Sequence, residues 1–392
     1  DENNDYLVLL GDIFDFSLAK YAEAYEVAKA FFVQIKNDNI AKNIIYVPGN
    51  HDFDMWHTVE HQIRIIYEVR KGLPPKRFRW SAPGVIEDRK GKTKGFRLPG
   101  IIDYVVDPNN MREKEKMYLN NITYDKKRPG KETNFYFAYP NLYFVTDTGS
   151  ILLTHGHYLE AYWSLLGEWA IKVGKKDLKI GPELDVKELV ALNFPPCQLA
   201  CSGIGQAGSL TEVARKVQRE VKDQNLDKIP KYLKNLDEEI DKATPYGFLD
   251  PREWAIDLGT RIARWCVLKR LKRYRHTRVS DTFIDSRDKP DKEVLDSFRT
   301  FYKASWVEVL ELNREHGLDI PRPQKIIFGH THRPIGWEEK FPPQPTVACS
   351  PITLYNTGGW LWRKTKYGDR EFCGAAVFTY NSNDGFKSHV IS

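Results

Sequence analysis

The stretch Tyr6-Leu7-Val8-Leu9-Leu10-Gly11-Asp12-Ile13-Phe14-Asp15 decides how the fold of this chain is read. Five apolar residues in a row, closed by a glycine, form the pattern of a parallel strand buried on both faces. Asp12 is left at the strand's carboxyl end. Residues from about Ser17 to Lys36 read as a helix, with Ala22, Tyr25, Val27, Ala28, Phe31 and Phe32 near helical spacing. Asn43–Val47 is a second buried strand and runs into Pro48-Gly49-Asn50-His51-Asp52. Strand, loop, helix and strand make a βαβ unit. Polar residues from both strand ends therefore meet at the edge where open α/β sheets bind ligands.

Two more strands end in the same manner. Ile151–Thr154 leads into His155-Gly156-His157, and Lys325–Phe328 leads into Gly329-His330-Thr331-His332. One Asp, one Asn and several His at strand ends are what a two-metal hydrolytic centre needs, because a bridging carboxylate holds two cations while neutral ligands leave their charge uncancelled. Asp12 is the expected bridge, between cations roughly 3.5–4 Å apart. Asn50 offers an amide oxygen, and His155 and His330 offer imidazoles to complete one shell. His332, two residues from His330, faces the neighbouring cation. His51 adjoins a ligand and is expected to assist the chemistry, either by stabilising developing charge or by protonating the leaving oxygen. Asp15 and Asp52 are placed with it as groups orienting the loop and the imidazole, against a plain turn or helix-cap role. His157 is expected on the substrate side or behind a ligand. Taken singly, a Gly-Asp or His-Gly-His is an ordinary turn or solvated loop; four such strand ends together are not.

Elsewhere, Thr58–Lys71 reads as a helix, and residues 72–133 as largely irregular, with a basic aromatic patch at Lys76-Arg77-Phe78-Arg79-Trp80. Phe135–Tyr139, Leu142–Thr146 and Ile151–Thr154 read as a strand meander. Thr346–Tyr355, Ala375–Tyr380 and Phe386–Ile391 read as a mainly antiparallel set. Residues 158–322 carry helical patterning and read as an insertion standing over the site edge, separating core segments 1–157 and 323–392. Within it, Phe298, Phe301, Tyr302, Ser305, Val309 and Leu312 follow the spacing of a core-facing helix. Tyr158, Tyr162, Trp163, Leu165, Leu166 and Trp169 either line an apolar pocket or anchor the insertion. Arg261–Arg278 holds eight Lys/Arg and no acid. Such a helix suits solvent or core, an anionic membrane surface, or less readily nucleic-acid phosphates.

The 392 residues allow a large core, and 41% hydrophobic with 29% charged residues is ordinary for a globular protein. A net charge of +6 permits an anionic substrate or membrane surface and demands neither. Five irregularly spaced cysteines argue against a disulfide framework and for a reducing, cytoplasmic setting. No run reaches the length of a membrane span. The chain starts at Asp1 without a methionine, so its true N-terminus is expected upstream.

The motifs resemble those of the calcineurin-like metallophosphoesterase superfamily, whose pattern is Asp-x-His, Gly-Asp-x-x-Asp, Gly-Asn-His-Asp/Glu, a His before Gly, and Gly-His-x-His. Four of the five blocks stand here as Gly11–Asp15, Gly49–Asp52, His155-Gly156 and Gly329–His332, and Asn356-Thr357-Gly358-Gly359-Trp360 is similar to the segment that often follows the last. The resemblance covers roughly residues 5–157 and 323–392. It implies an α/β four-layer αββα sandwich and two divalent metal ions, Mn, Fe, Zn, Co or Mg, with Mn favoured. The implied activity is hydrolysis of a phosphomonoester, phosphodiester or pyrophosphate by a dinuclear-metal-activated water. The first block, expected before Tyr6, is absent, which leaves one ion only Asp12 and His332. Gly11–Asp15 lacks the Arg-Gly that follows in Ser/Thr protein phosphatases. The later blocks look more like the UDP-2,3-diacylglucosamine pyrophosphohydrolase branch, which cleaves a lipid-linked sugar nucleotide. The expected partners are a phosphorylated small-molecule or lipid-linked substrate and a membrane met peripherally through the insertion; nucleic acid is not expected. A catalytically silent scaffold on the same fold is the rival from another class.

Overall fold

The opening strand forms where its apolar run lies: β1 spans Asn4–Leu9, followed by α1 (Tyr21–Asn37) and β2 (Ala41–Tyr46). The computed structural model describes residues 4–17, 19–107, 110–123, 133–159, 184–198, 206, 292–364 and 369–391. After β2 come α2 (Asp54–His61), a π-turn at Gln62–Ile66 and α3 (Tyr67–Arg70), which together form one helical stretch that starts earlier than Thr58. The chain continues through β3 (Gly84–Asp88), β4 (Gly95–Pro99), β5 (Ile101–Ile102), β6 (Tyr104–Asp107), β7 (Asn110–Lys116) and α4 (Tyr118–Ile122). Next are β8 (Asn134–Phe137), β9 (Asn141–Thr146), β10 (Gly149–Thr154), α5 (Val186–Cys197) and α6 (Lys292–His316). The rest is β11 (Lys325–Phe328), β12 (Pro334–Ile335), β13 (Thr346–Val347), β14 (Ser350–Pro351), β15 (Thr353–Thr357), β16 (Trp362–Lys364), β17 (Arg370–Phe372), β18 (Ala375–Asn381) and β19 (Gly385–Ile391).

Two sheets carry the fold. The first has the order β1-β2-β8-β5, with β1, β2 and β8 parallel. The second has the order β12-β15-β11-β10-β9-β3-β4, in which β10, β11 and β15 run parallel. Strand alternation shows how they stack, because successive side chains point to opposite faces. Ile45 and Val47 in β2 and its exit, and Ala138 after β8, pack against Ile86, Leu142, Phe144 and Leu153 of the other sheet. Their neighbours Ile44, Tyr46, Phe135 and Phe137 turn outward to pack with Phe32 and Ala28 of α1. On the second sheet, Tyr143 and Leu152 turn outward to the cluster that holds Phe298, Phe301 and Val309 of α6. The result is an α/β sandwich of helix, sheet, sheet and helix.

α6 carries the helical stripe read from the sequence, and all six of its residues are buried. The helix lies on the core sheet: Glu308 accepts hydrogen bonds from Tyr143 Oη (2.8 Å), Asn141 Nδ2 (2.9 Å) and Ser81 Oγ. Tyr158 is buried too, stacks on Phe301 and bonds the Tyr139 hydroxyl, which makes it an anchor. The chain divides into one unit of Asp1–Gln206 with Phe283–Ser392 and a second of Ala207–Thr282, which lies outside the described residues. The same holds for Arg261–Arg278, Cys201, Cys266 and the aromatic residues from Tyr162 to Trp169.

Three readings of elements need correction. Residues 72–133 are not largely irregular: β3 and β4 form a hairpin at the edge of the second sheet. Its Lys/Gly-rich turn between Arg89 and Gly95 hid two short alternating runs. The meander is also split, because β8 joins the first sheet beside β2 while β9 and β10 pair in the second. Finally, the C-terminal set is antiparallel in β13–β14, β18–β19 and β12–β15 as read, but β15 also pairs parallel with β11. The centre of β15, Leu354-Tyr355-Asn356, is buried on both faces, as parallel strands are. In the basic aromatic patch, Phe78 and Trp80 pack together with Trp56 and Phe194, and Arg79 pairs with the fully buried Glu60.

Candidate metal centre

The site forms at the carboxyl ends of strands from both sheets. Asp12 follows β1, Asn50 and His51 follow β2, His155 follows β10, and His330 follows β11. Backbone geometry there is unusual: Asp12, His330 and His332 have φ of 55°, 64° and 59°. Left-handed conformations in residues other than glycine cost free energy and cluster where function needs a side chain aimed. Gly11 and Gly49 let the two loops approach. A Cβ on Gly11 would lie 2.3 Å from Gly49 N, and one on Gly49 would lie 2.1 Å from Asp12 Oδ1 and 2.7 Å from His155 Cε1.

Asp12, His155 and His330 converge, each offering one donor atom, with all three atoms within 4.8 Å of one another. His155 Nε2 lies 3.2 Å from Asp12 Oδ2 and 3.2 Å from His330 Nδ1. The other nitrogen of His155, Nδ1, donates to Leu10 O at 2.6 Å, which orients the ring and leaves Nε2 as the donor to the site. Asp12 Oδ1 accepts the backbone N–H of His51 at 3.0 Å, so Oδ2 faces the imidazoles. Asn50, 2% exposed, sits between Gly49 and His51 in the same loop. His332 is not one of the three converging groups; its Cβ lies 2.4 Å from where a Cβ of Gly359 would be. His157 is buried with its ring 4.0 Å from that of Tyr158 and 5.5 Å from that of His155, so it backs the site.

The electrostatics follow from this crowding. Burial pushes the Asp12 carboxyl up, but His155, His51 and His330 outweigh it and hold the group well below the usual carboxylate range. Burial lowers His157 and His332, and neighbouring imidazoles lower them further, which keeps both in the neutral form. One ionised oxygen with two imidazole nitrogens is a mixed O/N set that suits a divalent transition metal. The donors present therefore fit such an ion, and the cradle beside Gly49 has no room for a side chain.

His51 stands next to this group with its side chain about a third exposed at 35%. Its Nδ1 lies 2.9 Å from Asp15 Oδ1 and 2.9 Å from Ser17 Oγ. Ser17 Oγ in turn donates to Asp15 Oδ1 at 2.5 Å. Burial pulls the imidazole down, but the carboxylates of Asp12, Asp15 and Asp52 raise it to about 9. Asp52 is fully buried and ties the loops together. Its oxygens accept from Gly49 N (2.7 Å), Ile13 N (3.1 Å), Phe14 N (3.3 Å) and the Tyr46 hydroxyl. Burial, with the Asp12 charge, pushes Asp52 up to about 6. Ser17, Tyr46 and the Leu10 carbonyl escaped the sequence reading. Only Ser17 left a signal, two residues after Asp15 at the spacing of an Asx turn.

The model of the calcineurin-like phosphoesterase family matches residues 1–180, a stretch that holds Asp12, Asn50, His51 and His155. This supports the superfamily and, in general terms, a metal-dependent phosphoesterase. No curated protein and no solved structure matches the chain.

Proposed function

We propose that the chain hydrolyses a phosphomonoester, phosphodiester or pyrophosphate at this centre, using two divalent cations with manganese favoured. The observation that carries the reading is the convergence of Asp12, His155 and His330 on one point, beside a His51 whose Nδ1 lies 2.9 Å from Asp15 Oδ1. A divalent cation bound there supplies Lewis acidity toward a phosphoryl oxygen and makes water more acidic.

The chain's own residues do the rest. Asp12 is held ionised and cannot rotate freely, because His51 N–H pins Oδ1. His155 presents Nε2 because Leu10 O occupies Nδ1. Asp15 favours the protonated form of His51 and, with Ser17, fixes its Nδ1 edge, which leaves the Nε2–H edge to protonate the leaving oxygen. A positioned general acid of this kind contributes about 10²–10⁴-fold in rate. The test is a panel of chromogenic monoester, diester and pyrophosphate substrates after manganese loading. Release from at least one class is expected, lost on Asp12→Ala. A metal-retaining chain that turns over none of them would overturn the proposal.

A further inference from the structure

The segment that follows β15 leaves the site and runs into an exposed apolar hairpin. Gly359 rests against His332, where an added Cβ would meet His332 Cβ at 2.4 Å. The next three residues are among the most exposed large apolar side chains described: Trp360 at 55%, Leu361 at 48% and Trp362 at 65%. Trp362 opens β16, which among the described residues pairs with β17 in a two-stranded sheet, Trp362 opposite Phe372. Among the described residues, neither core sheet pairs with this ribbon. Its two arms close on each other at the base, Gly359 N donating to Gly374 O (3.1 Å) and Cys373 N to Leu361 O (2.8 Å), next to the Gly358–Ala375 bridge where they join β15 and β18. Consecutive exposed Trp-Leu-Trp is not a normal solvent surface, and a patch of this kind marks an interaction site.

Its chemistry selects the partner. Between Trp360 and Cys373 the sequence holds Arg363, Lys364, Lys366 and Arg370 against Asp369 and Glu371, a net positive ribbon. Arg370 is exposed and lies opposite Lys364 in the ladder. Tryptophan with adjacent Lys/Arg is the composition that settles at a membrane interface, the indoles at headgroup level and the cations on anionic phosphates. A protein interface would instead be expected to deplete lysine.

We propose that the β16–β17 hairpin docks the protein on an anionic lipid bilayer and sets the His332 side of the centre toward that surface. This surface is separate from Arg261–Arg278, and the binding does not depend on the phosphoesterase reading. The test is flotation of the full chain with phosphatidylcholine vesicles, with and without phosphatidylglycerol. Binding is expected only with the anionic lipid, weakening as salt rises. Leu361→Ser with Trp362→Ser should weaken it at least about tenfold. Arg370→Glu, which leaves the Trp362–Phe372 contact in place, should weaken it severalfold with an unchanged melting temperature. Three results would overturn the proposal: no flotation with anionic vesicles, equal flotation of the double variant, or sedimentation showing a dimer of the natural chain that the double variant abolishes. The last would give the patch to a second copy of the chain.

Discussion

Gly49 sets how much room the centre has. An alanine there would place its Cβ 2.1 Å from Asp12 Oδ1, so the carboxylate has to turn away. Gly49→Ala should lower manganese affinity at least about tenfold, read by calorimetry, with little change in circular dichroism. Unchanged affinity would show that the Asp12 orientation is irrelevant to binding. His51→Ala should cost about 10²–10⁴ in kcat while metal content stays the same. A parallel loss of metal would make His51 a part of the binding site rather than an acid. At this scale the convergence of Asp12, His155 and His330 was legible because ligand chemistry sits at strand ends, where hydrophobic runs break abruptly. Tyr46 was not legible. Its place in an apolar strand reads as core, and only the fold brings its hydroxyl to Asp52.

Elements hold the site by buried polar contacts as much as by apolar packing. Glu308→Ala in α6 removes the acceptor for Tyr143, Asn141 and Ser81 at a 4% exposed position. Left with their other acceptors, Ser305 O for Tyr143 (3.0 Å), Ser305 Oγ for Asn141 (3.3 Å) and Tyr139 O for Ser81 (3.3 Å), these donors lose their charged partner, which should destabilise the protein by about 1–2 kcal/mol, measured by urea unfolding. A loss below about 0.5 kcal/mol would show that the network re-pairs without it. Asp103 gives a pH handle at α4, where its oxygens accept from Tyr118 N (2.8 Å) and Asn120 N (2.6 Å). Burial raises this carboxyl to about 7 against those backbone donors. The folded state thus binds the proton more tightly than the unfolded chain, whose Asp titrates near 3.9. The stabilisation is complete below that value and is lost as pH rises to about 7. The stability of the natural chain relative to Asp103→Asn should therefore fall between about pH 4 and 7 and level off above that. A pH-independent difference would contradict the burial argument. The long periodic runs of α1 and α6 were legible, whereas β3 and β4 were not, because a five-residue strand beside a Lys/Gly turn offers too few alternations to stand out.

Among the described residues, two large sheets bring together at one edge candidate ligands that the chain keeps far apart, from Asp12 to His330. A βαβ unit could be read from β1-α1-β2, since a buried parallel pair requires cover on both faces, whereas the four-layer order followed from the family resemblance. The exposed hairpin could not, since the residues of Trp360-Leu361-Trp362 carry no sequence signal that tells an exposed apolar run from a buried one. Metal and fold should be coupled at this scale: manganese at a hundred times its Kd stabilises the protein by about 2.7 kcal/mol. The most direct test of the shared centre is manganese titration of the natural chain beside Asp12→Ala, His155→Ala and His330→Ala, followed by electron paramagnetic resonance. One set of donors predicts tight binding in the natural chain and a loss of at least about a hundredfold in each variant. Equal affinity in all four proteins would contradict it.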